Sequence, residues 1–263
     1  MGQAKLKRQT QAGLLASNHG CIYCAGAVVA TTIEHMPPIS LFEGRQRPKG
    51  LEFPACEACN NGTGHSDLVA AMLARTWPDT SKEIQERDVK KIFSGLANNI
   101  PGLFAEMNPG RGAEKLARKR HNLPADMHPL RADGPILNHH ILTFAAKLGF
   151  ALHFEAQGSV VPAAGGVLAM WFSNFQAMNG QIPTLLFSML PSPSTLHQGT
   201  KSVAKQFKYS YAIGQDGFML YFATFNDSFA VGGITALDRS TLIRWDNFRV
   251  FAPGDLGVPK ACP

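Results

Sequence analysis

Two Cys-x-x-Cys pairs near the start of the sequence limit what this 263-residue chain can fold into more than any other feature. The first pair is Cys21 and Cys24, and the second is Cys56 and Cys59. Each pair makes a tight turn that directs two sulfurs at one centre, and four thiolates complete the tetrahedral shell of Zn²⁺. A redox dithiol would need only one pair, and isolated buried cysteines would not repeat the same spacing. We therefore predict one structural zinc ion bound by all four cysteines.

The overall composition is that of a globular protein with a basic surface. Hydrophobic residues make up 45% of the chain, charged residues make up 17%, and the formal net charge is +6, which is compatible with a polyanionic partner. The apolar run from Ile141 to Leu152 contains Lys147 and is shorter than the ~18 residues that a membrane helix needs. The apolar run after the basic N-terminus is too short for a signal peptide. Because the cysteines are spaced for metal rather than disulfides, we expect a cytoplasmic protein with no membrane partner.

A polar insert lies between the two cysteine pairs. Thr31 to Ile33 is predicted as a short strand that places Glu34 and His35 side by side, and Leu51 to Ala55 is predicted as the returning strand. Asn60 follows the second pair and opens a helix, since apolar residues recur at helical spacing beyond it. Strand, loop, strand and helix, with polar residues on the first strand and at the helix start, is the arrangement that a ββα-metal site requires.

These residues resemble the HNH endonuclease superfamily, in its zinc-containing four-cysteine subgroup with an endonuclease VII-like layout, over roughly residues 20–75. His35 with Pro38 matches the family's His-x-x-Pro, and Asn60 directly after the second pair matches its Cys-x-x-Cys-Asn. The resemblance implies that His35 acts as the general base that activates water. It also implies that Glu34 and the amide oxygen of Asn60 hold a catalytic Mg²⁺ or Mn²⁺ ion.

The sequence departs from the family pattern at two places. Glu34 stands where the family often has aspartate, and residues 36–55 contain no asparagine that could orient the histidine. A backbone carbonyl or Glu43 could take that orienting role. A further contact to metal or phosphate would come from His65, with Asp67 as the next candidate.

Other interpretations compete with the catalytic one. His35 could be a structural histidine, and Asn60 could be a helix N-cap, which is a position that asparagine favours. A zinc deaminase is disfavoured, because its His-x-Glu signature is absent and one cysteine pair would be surplus. The main alternative is a non-catalytic zinc-stabilised module that binds nucleic acid or protein.

The remainder of the chain predicts an α+β protein. We assign residues 1–78 to the HNH module, 79–135 to a helical connector with a basic segment from Arg111 to Arg120, and 136–263 to an α+β domain of unknown role. Helices are predicted over residues 81–99 and from Leu137 to Phe154. Five later segments rich in aromatic and β-branched residues are predicted as strands: Val167–Phe172, Thr184–Leu190, Gln206–Ile213, Phe218–Phe225 and Phe229–Thr235.

Together these expectations describe a metal-dependent endonuclease that hydrolyses phosphodiester bonds of nucleic acid, with DNA as the expected substrate. The basic segment could track a phosphate backbone or form an ordinary solvated helix. A regulatory protein partner or a homo-oligomer is compatible with the large C-terminal part of the chain.

Overall fold

The computed structural model describes residues 12–16, 20–76, 83–123, 127–242 and 248–256. Residues 12–16 are helical and are called α1. The cysteine-rich part then contains two antiparallel strands and two consecutive helices: β1 (Thr32–His35), β2 (Glu52–Ala55), α2 (Glu57–Gly62) and α3 (Gly64–Arg75). This strand, strand, helix order agrees with the prediction for residues 31–75.

Four further helices follow: α4 (Glu83–Asn99), α5 (Leu103–Met107), α6 (Gly110–His121) and α7 (Pro135–Gln157). The long helix α7 starts where Gly134 and Pro135 occupy the N-cap and first helical positions, and it stops at Gly158, whose φ of 67° is left-handed. Three of these helices, α4, α5 and α6, lie in the segment predicted as a helical connector. The basic segment itself forms most of α6.

The C-terminal part contains the elements β3 (Gly166–Ser173), α8 (Asn174–Met178), α9 (Thr184–Met189), β4 (His197–Gln198), β5 (Lys201–Ser202), β6 (Phe207–Ile213), β7 (Met219–Phe225), β8 (Phe229–Ala236) and β9 (Arg249–Phe251). Five of these strands form one antiparallel sheet in the order β6-β7-β8-β3-β9. One face of the sheet packs on α7, where the hydroxyl of Tyr221 donates to the carbonyl of Ala145 at 2.8 Å. A side chain at Gly149 would lie 2.8 Å from the Tyr221 ring, so this close approach requires glycine.

One of the five predicted strands is wrong. Residues 184–189 form α9 rather than a strand, whereas the other four segments are strands within one residue of their predicted bounds. Leu186 and Leu190 lie four residues apart and both pack on the outer face of the sheet, which is helical spacing, and Pro183 precedes the first turn. Four of the seven residues of the predicted segment are leucine or methionine, which favour helix, so the helix agrees with local propensity and the apolar run alone was misleading.

A single hydrophobic core joins the cysteine-rich part to the sheet through α7. The core contains Tyr23 and Phe53 from the first part together with Phe144 and Phe150 of α7. Tyr23 meets Phe150 edge-on, with the ring centroids 6.3 Å apart. Within the described ranges, no helix is both long and apolar enough to cross a membrane.

We expect His153 to make the fold sensitive to acid. Its Nδ1 lies 2.7 Å from the hydroxyl of Thr235 inside the core, and burial lowers the pKa of His153 to about 4. An unfolded histidine titrates near 6.5, so the unfolded chain binds the extra proton first as the pH falls from 6.5 to 4. His153 should then cost up to about 3 kcal/mol of stability over that range.

The variant His153→Gln keeps a polar atom near Thr235 but cannot be protonated. Urea unfolding between pH 4 and 7.5 should show a shallower loss of stability in this variant than in the wild type. Equal slopes in both proteins would contradict the assignment.

Candidate metal centre and adjoining polar site

The two Cys-x-x-Cys pairs come together in one buried cluster. The Sγ atoms of Cys21, Cys24, Cys56 and Cys59 all lie within 4.8 Å of one another. The first pair spans a single 3-10 turn that ends at Ala25 and Gly26, both left-handed with φ of 52° and 76°. The second pair sits at the start of α2, where Cys56 is the N-cap and its sulfur accepts from the Cys59 amide at 3.5 Å.

The spacing of the sulfurs fits a tetrahedral zinc ion. Zinc–sulfur bonds of about 2.3 Å separate the ligands of a tetrahedron by about 3.8 Å, and Cys24 lies 3.3 Å from Cys59 and 3.9 Å from Cys56. Hydrogen bonds with Cys24 and Cys59 lower the pKa of the Cys21 thiol to about 2, while contact with Cys21 raises the pKa of Cys59. Four buried sulfurs at these distances are suited to a structural metal ion such as zinc.

The strand pairing of β1 and β2 sets His35 directly opposite Glu52. His35 Nε2 lies 3.8 Å from Glu52 Oε1, and the histidine side chain is 38% exposed. Glu52 therefore places a carboxylate beside the histidine. The backbone amide of Glu43 instead donates to the side chain of Gln206 at 2.8 Å, which attaches this loop to the C-terminal part.

One guanidinium group holds both ends of the loop between β1 and β2. Arg47 donates to five backbone carbonyls, at distances from 2.7 to 3.2 Å, belonging to Met36, Pro37, Pro48, Gly50 and Leu51. Met36 directly follows His35, and Leu51 directly precedes Glu52. The guanidinium therefore fixes the chain on both sides of the His35–Glu52 pair. Burial lowers the pKa of Arg47 to about 10, which leaves it charged at neutral pH.

Glu34 points the opposite way from His35, into the core. Its Oε2 lies 3.1 Å from the ammonium of Lys147 on α7, and Lys147 also donates to Asp67 of α3 at 2.7 Å. Lys147 is fully buried and Glu34 is 4% exposed. The three side chains form a buried ionic triad that joins β1, α3 and α7.

Burial and the neighbouring charges shift the pKa values of the triad side chains in opposite directions. Burial raises the pKa of Glu34 to about 7 and raises the pKa of Asp67, even though Lys147 lowers both. Burial would lower the pKa of Lys147, but the two carboxylates outweigh it and the pKa is raised. The ammonium thus stays charged, and its removal would leave two desolvated carboxylates in the core.

Asn60 and His65 lie along the start of the helical segment, outside the triad. Asn60 is half-buried on α2, and its amide nitrogen donates to Thr32 Oγ1 of β1 at 3.0 Å. His65 is exposed on the first turn of α3. It lies close to His140 of α7, whose pKa is lowered to about 4 by burial and by the charges of His139 and His65. The structure thus brings Asn60 against β1 and places His65 beside a histidine of α7.

Three residues of this region were not identified from the sequence, namely Glu52, Arg47 and Lys147. Glu52 follows from the strand register, which a sequence alone leaves open. The sequence does mark Lys147 as unusual, because it is the one charged residue within the apolar run from Ile141 to Leu152. A charged residue on the buried face of a helix needs a buried partner, although the pattern does not name that partner.

In comparisons with known proteins, the chain matches no protein-family model, and no curated protein or solved structure is significantly similar to it.

We expect one zinc ion per chain, bound by the four-cysteine cluster. Cys56→Ser should lower the zinc content measured by mass spectrometry and the melting temperature together, because a structural zinc contributes on the order of 10 kcal/mol to folding. Cys262→Ser, at the fifth cysteine, should leave both unchanged. A Cys56→Ser protein with the stability of the wild type would contradict a structural metal at this cluster.

We also expect Lys147→Met to destabilise the protein by about 3–5 kcal/mol at pH 7.5, because it strands two buried carboxylates. The loss should shrink at pH 5, where these carboxylates can take up protons. Lys115→Met, at an exposed lysine of α6, should change the free energy of unfolding by less than about 0.5 kcal/mol.

Adding Glu34→Gln and Asp67→Asn to Lys147→Met should recover most of the stability, since neutral amides replace the stranded charges. Urea unfolding of the four proteins measures all of these effects. A Lys147→Met protein as stable as the wild type would show that the triad does not stabilise the folded state.

Proposed function

We propose that this protein is an endonuclease that hydrolyses nucleic-acid phosphodiester bonds, with His35 as the general base. The observation that carries the proposal is the geometry around His35. A partly exposed imidazole stands at the end of β1, faces the Glu52 carboxylate, and sits beside a loop that Arg47 fixes in place. A base must reach solvent and substrate and needs neighbouring groups that can orient its ring, and the exposure of His35 together with the nearby Glu52 carboxylate supports this role.

The His35–Glu52 pair supports a specific protonation state. In this scheme the 3.8 Å contact between Nε2 and Glu52 tightens to a hydrogen bond when substrate binds, which would hold the proton on Nε2 and leave Nδ1 unprotonated. Nδ1 would then accept the proton of the attacking water, and the imidazolium that forms would be stabilised by Glu52. Glu52 acts through His35 in this scheme and is a positioning residue.

The catalytic Mg²⁺ or Mn²⁺ implied by the resemblance does not fit the placement of both expected ligands. Asn60 lies half-buried on α2, but the Glu34 carboxylate faces the Lys147 ammonium within the core. A divalent cation at Glu34 would therefore compete with a buried lysine. The base role proposed for His35 does not require a metal ion at Glu34.

Charge supports nucleic acid as the partner. The chain has a formal net charge of +6, and α6 presents a row of exposed basic side chains: Arg111, Lys115, Lys119 and Arg120. Basic side chains on one surface bind phosphate backbones through electrostatic attraction and counterion release. DNA remains the expected substrate.

A second candidate function is favoured by the Lys147 triad. If the ammonium permanently occupies the cation position beside Glu34, the module is a zinc-stabilised element that binds nucleic acid or protein without cutting it. This candidate predicts retained binding of nucleic acid and no cleavage under any metal condition.

Plasmid cleavage separates the two candidates. Purified wild-type protein should convert supercoiled DNA to nicked product in Mg²⁺ or Mn²⁺, and His35→Ala should lower the rate by about 10²–10⁴. His128→Ala removes a histidine whose side chain is 74% exposed, away from the site, and should cut like the wild type. Glu52→Gln should lower the rate by about 10–100-fold, in line with the loss of a partner that orients a histidine.

Two further conditions test whether cleavage requires a divalent metal ion and which nucleic acid is cleaved. Chelator should abolish cleavage if a divalent ion takes part, and a matched single-stranded RNA tests the substrate class. Equal cleavage by wild type and His35→Ala would refute the base assignment. Binding without cleavage of either nucleic acid would establish the second candidate.

A further inference from the structure

The buried ionic triad places one primary amine and two carboxyl groups in contact inside the core. Lys147, Glu34 and Asp67 are all buried. The amine nitrogen of Lys147 lies 2.7 Å from Asp67 Oδ2 and 3.1 Å from Glu34 Oε2. An amine and a carboxyl group are the two reactants of amide formation, and a second carboxyl group beside them can transfer the protons that the reaction moves.

The two carboxyl groups are held differently, which distinguishes their roles. Asp67 Oδ2 accepts a hydrogen bond from Lys147, whereas Asp67 Oδ1 is buried and has no hydrogen-bond partner among the described residues. Glu34 Oε1 accepts instead from the backbone amide of His35 at 3.1 Å, which fixes this carboxyl group while Oε2 faces the amine. Asp67 is therefore the closer electrophile, and Glu34 is a fixed neighbour that can carry a proton.

The three charges of the triad do not balance. Two carboxylates and one ammonium leave one negative charge uncompensated, and an uncompensated charge in the core is destabilising. Amide formation would remove the ammonium and one carboxylate together and leave Glu34 as the only ionisable group of the three. Burial raises the pKa of Glu34 to about 7 despite the nearby ammonium, so Glu34 can be neutral near physiological pH.

Proximity and the absence of water both favour the reaction. Two well-oriented groups in one molecule react as though they were present at an effective concentration of up to about 10⁵–10⁸ M. Exclusion of water also protects the product, because hydrolysis of an amide requires water. The charged triad is the state that assembles on folding. A reaction that occurs once per molecule needs only a small population of the neutral amine and the neutral acid.

We infer that Lys147 and Asp67 condense after folding to form an isopeptide bond between Nζ and Cγ. One proton passes from the ammonium to Asp67 Oδ2, and the free amine attacks Cγ. Glu34 takes a second proton from the nitrogen and returns it to the departing hydroxyl group, which leaves as water. The third proton remains as the amide N–H, so the step balances without an oxidant, a reductant or a further reactant.

The isopeptide bond would link α3 to α7 across 80 positions of the chain. A covalent link between such distant residues restricts the unfolded chain and thereby stabilises the folded one. The inference is independent of the proposed nuclease activity, because it rests on the buried triad and involves neither the imidazole of His35 nor the zinc cluster.

Mass spectrometry of the full chain tests the isopeptide bond. After overnight incubation of the folded wild type at neutral pH, the intact mass should be lower than the mass calculated from its sequence by one water molecule. After reduction and tryptic digestion, the peptide of residues 50–75, which contains Asp67, should be joined to the peptide of residues 132–201, in which Lys147 is not cleaved. Glu34 lies on a different tryptic peptide, residues 9–45, so the digest identifies the partner of Lys147.

Two variants test the roles of the amine and of Glu34. Lys147→Arg is the matched control, because a guanidinium keeps the positive charge but does not form the amide, and its intact mass should equal the calculated one. Glu34→Gln keeps the size of the side chain but cannot carry the proton, so bond formation should slow at least ~100-fold. Circular dichroism and zinc content check that each variant is folded.

The wild-type measurement decides the inference even if a variant fails to fold. A wild type that keeps its full calculated mass after the incubation would overturn it. Loss of water that maps to any other pair of residues, including Lys147 with Glu34, would overturn it as well. Bond formation in a folded Glu34→Gln protein at the wild-type rate would refute the proton transfer by Glu34.

Discussion

The buried ammonium of Lys147 is the interaction on which the arrangement of this protein depends. It compensates Glu34 and Asp67 at 3.1 and 2.7 Å in a place from which water is excluded. A buried ion pair adds little net stability compared with an apolar contact, but its partners cannot separate without leaving an uncompensated charge. The long helix α7 is thereby fixed in one position against the cysteine-rich part, and the hydrophobic core shared by both forms around that position.

The triad and the candidate catalytic site use neighbouring residues of one short strand for different purposes. Alternation along β1 turns Glu34 into the core and His35 toward solvent. The inward residue connects the strand to α3 and α7, and the outward residue meets Glu52 and the loop held by Arg47. The proposed base is therefore carried by a strand whose other face is firmly anchored, which is the kind of support that a precisely oriented side chain needs.

The sequence predicted best those features that depend on local spacing. The repeated Cys-x-x-Cys spacing predicted a cluster of four sulfurs, and the period of apolar residues predicted α7 and four of the strands. It failed for residues 184–190, where leucines that face a sheet looked like strand residues. It also could not supply Glu52, Arg47 or the partner of Lys147. These depend on strand register, on a loop that turns back on its own carbonyls, and on contacts between residues 80 or more positions apart.

The way in which Arg47 holds its loop has a consequence for how this surface can diverge. All five of its acceptors are main-chain carbonyls, so the hold of Arg47 on the two ends of the loop does not depend on the side chains of the residues that it contacts. Exposed positions such as Arg45 and Lys49 can exchange their side chains while the frame beside His35 keeps its form. A loop whose shape and whose chemistry are set by different atoms can acquire a new binding preference without first losing its structure.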